Sequence, residues 1–203
     1  MGGLLQFDTA ITRPFCFADA PQLVATTEKL MSFVALDFET ADYGRDSACA
    51  IALVKVVGHE IVASTHRLLR PPRNRFQFTY IHGITWEHVK SEPTFGEVWP
   101  ELAEFLGDAE YLVAHNATFD KGVLETCCAR AGLPSPQLPF RCTVKLARQV
   151  WRLPSNKLNL VCQHLDIPLN HHNALSDAEA CAKIVLAAQQ HKSLTVNPKA
   201  WRW

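Results

Sequence analysis

Apolar and polar positions along the chain separate into short strand-like runs early and helix-like stretches later. Positions 33–38 are apolar except for Asp37 and rich in aromatic and β-branched residues, the pattern of a buried strand. Apolar runs at 48–57 and 60–69 are split by Gly58-His59, which predicts a hairpin. Positions 70–77 are rich in Pro and Arg and read as a loop. An amphipathic helix is expected over 94–106, a short strand over 111–114, and a helix over 119–131 capped by Asn116 or Thr118. Two further helices, 142–151 and 158–165, are separated by Pro154 and Ser155, and a last helix runs from near Asp177 to about Gln190. Three early strands followed mostly by helices, with one more strand, predict an α/β sheet protein.

Several acids interrupt this pattern where apolar segments end or begin. Side chains alternate faces along a strand, so Asp37 and Glu39 point the same way. Two carboxylates that close raise each other's pKa, and a hard cation with oxygen ligands relieves the repulsion. A lone D-x-E is also compatible with a satisfied strand-end Asp followed by a solvated Glu. Asp120, in HNATFD, falls in a first helical turn, where the helix dipole favours an anion with or without a metal. His115 and Asn116 before it are suited to orienting the loop by hydrogen bonds. The third segment, HHNALSDAEA, offers His172 and, after a four-residue gap, Asp177, which is either a metal ligand beside a general base or, like Ser176, only a helix cap. Three acidic segments far apart in sequence predict one shared divalent-cation site and metal-dependent phosphoryl transfer.

Composition narrows the class. A chain of 203 residues with 48% apolar residues holds one sizeable core. No run approaches the roughly 20 apolar residues of a membrane helix, and no basic region followed by an apolar stretch opens the chain, so no membrane partner is expected. Seven cysteines without a C-x-x-C pair predict reduced thiols and a cytoplasmic location rather than disulfides or zinc. Twenty basic and twenty acidic residues cancel, which argues against a large duplex footprint and leaves nucleic-acid contact to local clusters. One cluster is Arg67, Arg70, Arg73 and Arg75; the other is Lys145, Arg148 and Arg152, at helical spacing after Arg141. Each is either a phosphate track or a solvated face. Phe76, Phe78, Tyr80 and Trp86 are either base-stacking rings or core.

Taken in order, D-x-E, then N-x-x-x-D, then H-x-x-x-x-D resembles the DEDD-type exonucleases of the histidine branch, which includes the proofreading subunit of bacterial replicative polymerases and oligoribonuclease. The likeness spans about 33–190 and includes IHGIT at 81–85. It implies a ribonuclease H-like fold, a mixed central sheet flanked by helices. The activity it implies is metal-dependent 3′–5′ exonuclease action on DNA or RNA 3′ ends, single-stranded ones foremost, releasing nucleoside 5′-monophosphates. Two Mg²⁺ or Mn²⁺ ions are implied, with Asp37 bridging them, Glu39 and Asp177 holding the first and Asp120 the second. His172 is implied as the general base, and Thr40, Ile81, His82 and Phe119 as contacts to the terminal nucleotide. A polymerase or a second copy of the chain is the implied partner. The nuclease domain is expected over 31–191, between an N-terminal extension (1–30) and a C-terminal tail (192–203). One departure is visible: the family often follows its first acid pair with Thr or Ser and then Gly, whereas Glu39 is followed by Thr40, Ala41, Asp42 and Tyr43 before Gly44.

Overall fold

In the computed structural model, which describes residues 30–191, five strands form one mixed sheet in the order β3-β2-β1-β4-β5. β1 (Ser32–Thr40), β2 (Ala48–Val57) and β3 (Glu60–Leu68) form an antiparallel meander, and β4 (Tyr111–Ala114) and β5 (Phe140–Cys142) continue it in parallel. Two short helices, α1 (Thr79–His82) and α2 (Trp86–Val89), precede α3 (Phe95–Leu106). α4 (Thr118–Ala131) lies between β4 and β5, and α5 (Thr143–Val150), α6 (Leu158–His164) and α7 (Ala174–Gln190) complete the fold. Gly58, at a φ of +62° that a side chain disfavours, turns β2 into β3 as expected.

The alternation in β1 decides what lies on each face. Phe33 and Ala35 face the layer of α5, α6 and α7, whereas Val34, Leu36 and Phe38 face α3 and α4. Both faces are covered, which is why β1 and β4 read as continuous apolar runs. α7 meets the sheet through small residues, Ala174, Ala178, Ala182 and Ala188 among them, opposite Ala50 and Ala52 of β2. Small side chains on both sides let backbone approach backbone, and Ile184 and Val185 fill the space left over.

Several expectations need correction. β5 was not foreseen: at three residues, one of them Arg141, it has no hydrophobic period of its own and exists by pairing Phe140 with Leu112 and Cys142 with Ala114. The helix expected from 142 therefore starts at Thr143 and ends at Val150. α1 and α2, four residues each, are too short for a period to show. α4 is entered through Ala117, and neither Asn116 nor Thr118 caps it; Asn116 instead takes φ +66°. α7 begins earlier than expected, at Ala174, because the Asn173 side chain accepts the Ser176 N–H at 3.1 Å. Neither Ser176 nor Asp177 is its cap. Among the described residues the six cysteines are free thiols, and no helix is long and apolar enough to cross a membrane. Expectations for 1–29 and 192–203 lie outside the described residues.

Candidate active site

Continuing the β1 alternation past Phe38 turns Asp37 and Glu39 toward α7. The first turn of α7 carries Asp177, and carboxylate oxygens of Asp37, Glu39 and Asp177 lie within 4.8 Å of one another. Asp120 arrives in the first turn of α4, and its Oδ1 accepts the Phe38 N–H at 3.3 Å. The four acids predicted from three distant segments thus meet at the C-terminal end of β1, the sheet end where α/β proteins place ligands.

Their surroundings oppose the charge they carry. Burial, then Asp120, Glu39 and Asp177, push the Asp37 carboxyl well above its ordinary range. Burial, then Asp177 and Asp120, push Glu39 up to about 8. Burial pushes Asp120 up to about 7 against the bond from Phe38, and Asp177 is raised by burial as well. Asp177 Oδ1 is buried with no hydrogen-bond partner. An orphaned buried carboxylate oxygen within a cluster of like charges needs a proton or a cation. The oxygen-only donors fit a hard divalent ion such as Mg²⁺ or Mn²⁺ and not a thiolate-seeking metal.

Two adjacent histidines stand over Asp177. His171 Nδ1 lies 3.0 Å from Asp177 Oδ2, and the main-chain N–H of His172 donates to the same oxygen at 3.2 Å. Their rings stack at 3.9 Å with planes 16° apart, and His172 takes φ +68°. Both line the cleft. Burial, then the neighbouring His171, holds the His172 ring below its ordinary value. The four-residue gap singles out His172, while the ring contact to Asp177 belongs to His171.

Around the acids opens a cleft of about 780 Å³. Asp37, Glu39 and Asp177 form its floor, and Asn116, Phe119, Arg148, the 154–159 segment and the two histidines line its walls. His115 orients this wall: its Nδ1 is 2.8 Å from Thr143 Oγ1 and its Nε2 is 3.0 Å from the Asn156 carbonyl. Burial pushes its pKa down to about 4, so the ring works as a neutral bracket. Lys157, at the start of α6, and Asn159, in its first turn, which no motif singled out, also line the cleft; their only sequence signal is the polar stretch that opens that helix.

On the other side of Glu39 is a smaller cavity of about 190 Å³, lined by Phe38, Glu39, Thr40, Phe78, Ile81, His82 and Phe119. It gathers all four residues expected to contact a terminal nucleotide. His82 is fixed there, Nδ1 accepting the Ile84 N–H at 3.0 Å and Nε2 lying 3.2 Å from the Thr40 carbonyl.

The basic clusters divide. Arg67 pairs with Glu101 at 2.7 Å, Arg70 bonds the Glu92 carbonyl at 3.2 Å, and Arg73 chelates Asp42 and Asp46, so these three serve the scaffold. Of Lys145, Arg148 and Arg152, Arg148 lines the cleft; Arg152 falls beyond the end of α5. Of the aromatics, Phe76 packs beside Trp86, whereas Tyr80 is 82% exposed.

The model of a family described as Exonuclease matches residues 34–185. The chain belongs to that exonuclease family. It is 39% identical to the DNA polymerase III PolC-type of Clostridium perfringens over 158 residues, 75% of this chain and 11% of that protein. To the PolC-type polymerase of Thermotoga maritima it is 36% identical over 159 residues, 76% of this chain and 12% of that protein. The chain thus spans little more than a tenth of these relatives' length. Among solved structures it is similar to Exonuclease X in complex with 5′ overhanging duplex DNA, with 27% identity and a TM-score of 0.65 over 79% of this chain and 93% of that one. The nuclease domain of 3′hExo, a DEDDh family member bound to rAMP, shares the fold, with 19% identity and a TM-score of 0.68 over 80% of this chain and 94% of that one. The resemblance read from the motifs and the α/β, ribonuclease H-like sheet expected from it are therefore borne out, and the chain is an exonuclease domain homologous to a part of the PolC-type DNA polymerases.

Proposed function

We propose that this exonuclease hydrolyses the last phosphodiester bond at nucleic-acid 3′ ends and releases nucleoside 5′-monophosphates. The observation that carries the reading is the meeting of Asp37, Glu39, Asp120 and Asp177 beside two histidines on the floor of an open cleft. Asp37 and Glu39 with Asp177 would hold one divalent ion and Asp37 with Asp120 a second. When bound, the pair supplies charge neutralisation at the scissile phosphate and a more acidic attacking water.

The chain's own residues supply the rest. His172, whose ring is held below its ordinary value, would accept the proton of the attacking water, and its stacking on His171 limits where the ring can stand. The small cavity beside Glu39 would take the terminal nucleoside, with Phe119 and Ile81 against its apolar faces and the Thr40–His82 bond closing one wall. Arg148 and Lys157 on the cleft wall would meet the phosphates of the strand leading in.

The PolC-type relatives favour a polymerase as the partner, with the chain editing 3′ ends made nearby; trimming of free DNA or RNA ends by a single chain or a pair of chains is the second reading. Free thiols throughout the described residues support a cytoplasmic setting. A 3′-blocked oligonucleotide tests the direction of attack. Full protection of the blocked strand is expected, and internal cleavage of it would replace this reading with an endonuclease that shares the acids.

A further inference from the structure

The first turn of α4 carries Asp120, yet no side chain caps the start of that helix. What holds the turn comes from the loop after β1. Arg45 Nη1 donates to the carbonyls of Thr118 and Phe119 at 3.1 and 3.3 Å. The loop lies along α4: the Arg45 carbonyl accepts from Cys127 Sγ at 3.5 Å, and Asp46 pairs with Arg130 at 3.3 Å. Arg73 fixes the loop from its other side, gripping Asp42 at 2.6 and 2.7 Å and Asp46 at 2.8 and 2.9 Å. Arg45 therefore reaches α4 from a rigid mount.

The guanidinium occupies a notch in the helix. A Cβ on Gly122 would stand 1.5 Å from Arg45 Nη1 and 2.6 Å from its Cζ. Glycine inside a helix is less favourable than alanine, and a cation beside a helix N-terminus opposes the dipole. Two features that disfavour a helix thus meet at one contact. The carbonyls it holds flank Phe119 and lead into Asp120. Phe119 lines both the cleft and the small cavity beside Glu39, and Asp120 is the acid that α4 brings to the cluster. The peptide planes under Arg45 set where that ring and that carboxylate stand.

We infer that Arg45, seated in the notch at Gly122, is a positioning residue for the exonuclease reaction: it fixes Phe119 for the terminal nucleoside and Asp120 for a divalent cation. This rests on the exonuclease reading of the adjacent site. Arg45 lines neither the cleft nor the small cavity and acts through the first turn of α4.

The test compares wild type with Arg45→Ala, Arg45→Lys, Gly122→Ala and the double variant Arg45→Ala/Gly122→Ala. Gly122→Ala discriminates, because it favours the helix while evicting the guanidinium. On a single-stranded 3′ end in Mg²⁺, Arg45→Ala and Gly122→Ala should each lower kcat/KM by about 10-fold, the size of losing an outer support of a metal ligand. The double variant should be no worse than the poorer single one, and Arg45→Lys, which keeps a donor, should recover part of the loss. In chelator every variant should melt within a few degrees of wild type. The rise in melting temperature on adding Mg²⁺ should be smaller in Arg45→Ala and Gly122→Ala than in wild type. Full activity in either single variant, losses that add in the double, an undiminished Mg²⁺ effect, or chelator melts that fall in step with activity would each overturn the inference while the exonuclease reading stands. A wild type that degrades no 3′ end in Mg²⁺ or Mn²⁺ would instead overturn that reading, and the role of Arg45 with it.

Discussion

Glu39 is 8% exposed, and burial, then Asp177 and Asp120, push its carboxyl up to about 8 from an ordinary value of 4.5. A carboxyl raised by folding binds its proton more tightly in the native state, so metal-free stability falls as pH rises from about 4.5 toward 8. In chelator, Glu39→Gln should therefore be more stable than wild type at pH 8 and similar to it at pH 5. Mg²⁺ should raise the melting temperature of wild type more at pH 8 than at pH 5. Thermal melts at both pH values check this, and a pH-independent gap between variant and wild type would contradict it. For the histidines, His172→Ala should lower turnover by about 10²–10⁴-fold and His171→Ala by far less. Because burial holds His172 below its ordinary 6.5, its neutral, proton-accepting form persists through neutral pH, and turnover should gain little above pH 6.5. A reversal of the two variants in steady-state kinetics would transfer the base role to His171. As candidates, Asp37, Glu39, Asp120, His172 and Asp177 were legible in the sequence because their types and spacings suit that chemistry. The ring contact of His171 to Asp177 was not, because it depends on how the loop before α7 folds, which no spacing encodes.

At the scale of elements, the period of β1 explains the most. Two-residue alternation sends Phe33, Ala35, Asp37 and Glu39 to one face, so the same pattern that builds the core delivers two acids to α7. α7 then holds Asp177 in place by packing. Ile184→Ala, at a fully buried position, should cost about 2–5 kcal/mol in chemical denaturation. Asn173→Ala, which removes the cap one turn before Asp177, should cost about 1 kcal/mol. Denaturant midpoints check both, and an unchanged midpoint for Asn173→Ala would mean that the cap does not anchor the helix. Strands and helices of eight residues or more were legible because a period has room to repeat. The four-residue β4 was legible too, as an unbroken apolar run; β5, α1 and α2 were not, since each mixes polar with apolar residues over three or four positions and takes its shape from neighbours. The caps were misread at both acidic helices for a related reason. Several polar residues adjoin each start, and the choice of Ala117 and Asn173 is made by chain geometry.

For the whole molecule, the sheet order gathers β1, α4 and α7, elements up to 140 positions apart in the chain, at one end of the sheet. The overall class and this gathering followed from the motif order. The walls of the cleft did not: Lys157 and Asn159 become neighbours of the acids only when the 154–159 segment folds across His115. Neutralising Arg148 and Lys157 together should flatten the salt dependence of substrate binding by up to about two slope units while leaving turnover at saturation nearly unchanged; an unaltered slope would return both to a solvated rim. The central claim, a metal-dependent exonuclease working from the 3′ end, is tested most directly by following a 5′-labelled oligonucleotide over time in Mg²⁺, in Mn²⁺ and in chelator. The account predicts a ladder shortening one nucleotide at a time with release of nucleoside 5′-monophosphates in either metal, and no products in chelator or with Asp37→Ala. Full turnover in chelator, or internal fragments appearing before the ladder, would contradict it.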